Sequence, residues 1–146
     1  VPTKRQLVEL QIPSIFGYEK VAMATVTAVA LRVGISAERI EDLRTAVAEA
    51  CINAIEYGNG VGAAAPVVVT ISTDALHLLI DVRDLALGST KPQMGKMVDL
   101  QNPPTGPHGN MGLFLIHHLV DKVHIVCRAN GTHVHMAMRL PDSVLH

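Results

Sequence analysis

Between Ser36 and Gly60 the chain carries one apolar stripe at helical period, made of Ile40, Leu43, Val47, Ala50, Cys51 and Ala54. Residues so spaced share one side of an α-helix, and that side must be buried against a second layer. Ser36 offers an N-capping oxygen, and Glu38 in the first turn meets the positive end of the helix dipole. Gly58, Asn59 and Gly60 stop the helix. Opposite the stripe lie Glu49, Asn53 and Glu56, which share a face at helical spacing. A solvated helix face satisfies that pattern. Two features favour a ligand instead. Neither glutamate has a Lys or Arg three or four residues away on this helix, so no intrahelical ion pair uses them. The flanking Ala46 and Ala50 let another group approach closely. An acceptor-rich face without cations suits a hard metal ion bound through an amide oxygen. A carboxylate one turn away can then orient or deprotonate a hydroxyl near that ion.

The surroundings predicted for this helix follow from the rest of the chain. At 146 residues and 49% hydrophobic composition it suffices for one domain, 1–146, with its own core. A net charge of -1 gives no basis for binding nucleic acid or an anionic membrane. No apolar run reaches bilayer length and no secretory pattern opens the sequence, so the expected location is cytoplasmic. Cys51 and Cys127 fall in apolar periodic segments and read as reduced core residues, a disulfide being the alternative.

Lys4 to Ile12 alternates as a first strand, and Ile15 to Val33, turning to alanine, valine and leucine with scattered polar residues, reads as a helix closed by Gly34. Apolar residues beyond a single stripe on this helix leave a homodimer face open. Val67–Thr73 and Leu76–Asp84 read as strands around a turn at Asp74-Ala75. Helix follows from Met111 to about Val120. The end is a hairpin turning at Asn130-Gly131, which places Cys127 opposite Val134 and Ile125 opposite Met136. This order predicts an α/β (α+β) two-layer sandwich: a mixed, mainly antiparallel sheet of about five strands with three helices on one face.

Two further features carry chemistry. In the strand ending at Asp84, Leu78, Ile80 and Val82 share its face, so a carboxylate arrives at the end of an apolar row. Loop amides satisfy such a group, or it accepts from the exocyclic amino group of a base such as adenine. Ala86 and Gly88 leave room for a flat ring. The run Gly106-Pro-His-Gly109-Asn-Met-Gly112-Leu113 enters a helix, and glycines at a helix N-terminus make an anion site. An ordinary flexible loop and cap fit that run equally well. Between these two lies a segment without period, about residues 85–110, of a length that is usually functional or disordered. A polar helix face, a strand-end Asp, a long loop and a glycine-rich helix entry, in that order, supply the three parts of a Mg-ATP site.

This ordered set resembles the GHKL ATPases of the Bergerat fold, and among them the anti-sigma factor serine/threonine kinases. Glu49-Ala-Cys-Ile-Asn53 is similar to their N box, Asp84-Leu-Ala-Leu-Gly88 to the first glycine box, and Gly109-Asn-Met-Gly112-Leu113 to the second. The resemblance implies that Asn53 ligates Mg²⁺, that Glu49 is the general base or orients the attacking hydroxyl, and that Asp84 accepts from adenine. It implies that Ala86, Gly88, His108, Gly109, Asn110, Met111, Gly112 and Leu113 bound an ATP lid and meet the nucleotide. The implied reaction transfers the γ-phosphoryl group of ATP to a serine of a STAS-type anti-anti-sigma factor, with a sigma factor as the alternate partner.

Three positions depart from the family pattern. Ala86 stands where the first box has glycine, and its methyl predicts lower nucleotide affinity. Asn110 replaces a frequent glycine but tolerates the left-handed region. His108 stands where an arginine often precedes the second box, and imidazole stabilises transferring charge less well, unless Lys91 or Lys96 substitutes. A non-catalytic nucleotide- or protein-binding module of the same fold therefore stays open. So does the detached catalytic domain of a two-component histidine kinase, which lacks here a preceding dimerisation helix pair. His124, His133 and His135 are expected to emerge on one sheet face, where a wet surface is the ordinary outcome unless a Cys or Asp completes a metal site. His117 and His118 are expected to point apart on their helix.

Overall fold

The computed structural model describes residues 4–85, 111–129 and 131–142. In chain order they form β1 (Arg5–Ile12), α1 (Glu19–Arg32), α2 (Ala37–Asn53) continued by a π-helical turn (Ala54–Asn59), β2 (Val67–Thr73), β3 (His77–Arg83), α3 (Met111–Leu119), β4 (Lys122–Arg128) and β5 (Gly131–Arg139). The strands make one sheet in the order β1-β2-β3-β5-β4, and all four neighbouring pairs are antiparallel. The expected two layers are present, with no parallel pair among the described strands.

Alternation explains which face the helices cover. Val69, Ile71, Leu78, Ile80, Val82, Val134, Met136 and Met138 point to one side and are buried. They meet the whole predicted α2 stripe, every member of which is buried, and Leu113 and Ile116 of α3. α1 presents Ala22, Val26 and Ala30, one buried line at intervals of four, toward α2. Fully burying a large aliphatic side chain is worth about 1.5–3 kcal/mol, several times a surface ion pair, so this apolar join sets the layer geometry. Ser36 caps α2, its Oγ accepting from the Arg39 N–H at 3.3 Å.

Three local expectations need correction. α1 starts at Glu19 rather than Ile15, because Gly17 sits at φ 107, which no helix admits, and its N–H is taken by Glu19 Oε1 at 2.6 Å. α2 does not end cleanly at Gly58 but widens into i→i+5 bonding from Ala54, and Gly60 ends it. The β4–β5 hairpin pairs Arg128 with Gly131, so Cys127 faces Thr132, Ile125 faces Val134 and Val123 faces Met136. The turn falls one residue earlier than Asn130-Gly131. The cause is Gly131: a Cβ there would overlap the Asp84 carbonyl oxygen, and its φ is 127. Glycine is needed inside the strand for that close approach, not in the turn. The slip moves each partner by two residues, so inward and outward faces are unchanged. Asn130 itself lies outside the described residues.

Candidate active site

α2 and α3 lie antiparallel, and polar contacts fix both ends. Arg39 in the first turn of α2 donates to Asp42 Oδ2 at 2.8 Å and to Asp121 Oδ1, just beyond α3, also at 2.8 Å. Its other contact is the Leu119 carbonyl at 3.4 Å. These exposed pairs add little stability but set orientation. At the opposite end Gly112, the second residue of α3, lies against Glu49: a Cβ there would overlap Oε2. The start of α3 therefore stands beside the half-buried Glu49 carboxylate. Met111 opens α3, and Leu113 is buried beneath it in the core.

Asn53 is the last residue of α2 and only 6% exposed, so the side opposite the stripe is not simply wet. The π-turn that follows has two effects. It changes the spacing of about 100° per residue, and Glu56 within it is exposed. It also carries Gly58 onto Asp84, where any Cβ would overlap the carboxyl carbon and both oxygens. Asp84 is 1% exposed. Its N–H donates to the Thr132 carbonyl at 3.2 Å, and the Thr132 N–H donates to Asp84 Oδ1 at 3.3 Å. Burying a carboxylate costs several kcal/mol unless donors compensate it, and the Thr132 amide is one such donor here. Five residues separate Asn53 from Gly58, roughly 7.5 Å of helical rise at most. Asn53 and Asp84 thus occupy the same end of the molecule.

Asn59 is the residue that sequence reasoning missed, being marked there only as part of a helix stop. It is fully buried. Its Oδ1 accepts from the Leu85 N–H at 2.8 Å, and its Nδ2 donates to Ser14 Oγ at 3.2 Å, Ala65 O at 3.2 Å and Pro66 O at 3.0 Å. Ser14 in turn donates to the Ala65 carbonyl at 2.6 Å. An asparagine set between two glycines after a helix is the signal that was available. Of the predicted site residues, the structure gathers Glu49, Asn53, Asp84, Gly112 and Leu113 around the C-terminal half of α2. Ala86, Gly88, His108, Gly109 and Asn110 lie outside the described residues, as do Lys91 and Lys96.

Residues 16–138 match the family described as Histidine kinase-like ATPase domain. The chain belongs to that family. Among histidine kinase-like ATPase relatives, a serine-protein kinase RsbW of Bacillus pumilus is 30% identical over 137 residues, covering 86% of this chain and 82% of the relative. The RsbW of Oceanobacillus iheyensis is 31% identical, with 81% of this chain and 77% of the relative covered. That of Halalkalibacterium halodurans is 26% identical over 120 residues, covering 81% of this chain and 74% of the relative. A crystal structure of the RsbU and RsbW domains of a Mycobacterium tuberculosis protein shares the fold, with TM-score 0.66 at 17% identity. It covers 91% of this chain and 32% of that one. No helix among the described residues is long and apolar enough to cross a membrane.

Proposed function

We propose that this histidine kinase-like ATPase domain is an ATP-dependent serine/threonine protein kinase acting as an anti-sigma regulatory factor. Its substrate would be a serine on a STAS-type anti-anti-sigma partner, and a sigma factor would be the alternate partner in a switch. One observation carries the reading: Glu49, Asn53, Asp84 and the start of α3 converge on one end of α2. The serine-protein kinase names of the relatives point the same way.

The residues fit a nucleotide with its metal. Asp84 is an acceptor fixed by the Thr132 amide and by the close approach of Gly58, and it would accept from the amino group of the base. Asn53 would hold Mg²⁺ through its amide oxygen, beside a helix face free of cations. When bound, ATP with Mg²⁺ supplies the transferable phosphoryl group and neutralises charge that develops on it. Glu49 would accept the proton of the serine hydroxyl or orient that hydroxyl for attack. The amides opening α3, around Met111 to Leu113, would face the phosphates. Residues 85–110, including Ala86, Gly88, His108, Gly109 and Asn110, would close over the nucleotide as a lid.

Incubation with labelled ATP and the cognate partner is expected to label one serine, and Asn53→Ala to abolish labelling with the fold intact by circular dichroism. Labelling by Asn53→Ala at the wild-type rate would overturn the metal assignment. Ala86 and His108, at positions where the family carries glycine and arginine, favour a second reading: a module that binds nucleotide without transfer. Mg-ATP calorimetry followed by a single-turnover transfer assay separates the two, since binding without transfer identifies the module.

A further inference from the structure

The sheet face away from the helices carries a second cluster. Strand register puts Asp81 of β3 directly opposite His135 of β5, and His135 opposite His124 of β4. His133 lies two residues from His135, hence on the same side. The imidazoles of His133 and His135 are 5.6 Å apart between ring centres, and those of His124 and His135 are 6.1 Å apart. Asp81 Oδ2 is 3.4 Å from His135 Nδ1, while Asp81 Oδ1 is buried with no hydrogen-bond partner among the described residues. One ligand atom each from Asp81, His133 and His135 lie within 4.8 Å of one another. Three outward histidines alone make an ordinary wet face; the carboxylate reaching in from β3 is what the sequence pattern did not reveal.

We propose that Asp81, His133 and His135 form a binding site for a divalent transition-metal ion of the zinc class, with a fourth position open beside His124. An unpaired buried carboxylate oxygen is costly, and a cation is the partner that restores its lost solvation. Two imidazoles and one carboxylate suit zinc and copper, whereas magnesium and calcium require oxygen ligands. A tetrahedral ion with bonds of about 2.0–2.1 Å holds its ligand atoms roughly 3.4 Å apart, so side-chain rotation alone closes the set. The ligands stand on paired strands, which hold their relative positions better than loops do. A pocket of about 390 Å³ bordered by Asp81, His124 and His135 gives an ion access. This site is independent of the proposed kinase chemistry, which lies on the other face of the sheet.

Calorimetric titration of the full chain with zinc chloride, without nucleotide, tests the assignment. One zinc per chain is expected, with copper bound more tightly and magnesium giving no heat at the same concentration. His133→Gln and His135→Gln are each expected to weaken zinc binding at least about tenfold, the scale set by loss of metal-site partners. Asn53→Ala should bind zinc like wild type, so failure of the kinase reading leaves this result untouched. Cobalt substitution should give visible bands of a nitrogen–oxygen site without thiolate charge transfer, which separates it from binding at Cys127. No stoichiometric zinc uptake by wild type, or unchanged uptake by the His133→Gln/His135→Gln double variant, would overturn the proposal.

Discussion

Two carboxylates three residues apart, one within β3 and one just past its end, are in opposite circumstances. Asp84 points into the helix-covered side, is almost fully buried, and is held by the main chain: the Thr132 amide on one oxygen and Gly58 packed against the group. Asp81 points to the open side and is surrounded by side chains that rotate, His135 foremost. The odd spacing alone sends them to different faces. A carboxylate seated by backbone is a preset acceptor for a neutral donor, whereas one seated among imidazoles is a preset ligand for a cation. Proximity in sequence therefore says little about chemical role when the chain between is a strand.

The contrast can be broken most severely at the seat of Asp84. Gly131→Ala forces a left-handed φ on alanine and drives a methyl into the Asp84 carbonyl, so urea unfolding should show a loss on the order of 3 kcal/mol or more. His133→Gln, two residues on and facing outward, should cost less than about 0.5 kcal/mol. A similar loss in both would mean that the close approach of Gly131 to Asp84 does not set the cost. Next in size, under the proposed function Asp84→Asn would remove a charge-assisted acceptor worth about 1.5–3 kcal/mol, so Mg-ATP affinity measured by calorimetry should fall tenfold or more. Asp81→Asn should leave that affinity unchanged.

A third carboxylate, Asp74 in the β2–β3 turn, supplies a smaller reference. It accepts from the Leu76 N–H at 2.8 Å and the His77 N–H at 2.7 Å. Burial alone would raise its carboxyl, but those two amides and the nearby His77 outweigh it and leave it below the ordinary value of 3.8. Asp74→Ala should cost about 1 kcal/mol in urea unfolding. Because the folded carboxyl is the stronger acid, its contribution is complete above the unfolded value and disappears as pH falls through the folded one. The variant and wild type should therefore converge in stability in acid.

The smallest effect reads Asp84 through a neighbour. Cys127 is raised by its half-burial and by the Asp84 charge, against a hydrogen bond with Thr132. Asp84→Asn should speed reaction of Cys127 with a thiol reagent at pH 8, and Asp81→Asn should not. Cys51, pushed up to about 12 by burial and by Glu19, should stay unreactive in all three proteins.

Sequence pattern anticipated what repeats and missed what depends on contact between distant segments. The α2 stripe, the inward row ending at Asp84 and the order of elements follow from period, and the structure has Glu49, Asn53 and Asp84 toward one end of α2. The hairpin register did not follow, because turn chemistry favoured Asn130-Gly131 while the demand for glycine came from β3, over forty residues away. The π-turn was hidden because Ala54 continues the helical spacing. The neighbours of Asp81 emerge only from the pairing of β3 with β5.

The Asn59 network has one more consequence. By holding the Leu85 amide it anchors one boundary of residues 86–110 to the end of α2, and Gly112 against Glu49 anchors the other boundary to that same helix. Both described flanks of that stretch are thus fastened to one helix, so a change in the C-terminal half of α2 reaches the two flanks together.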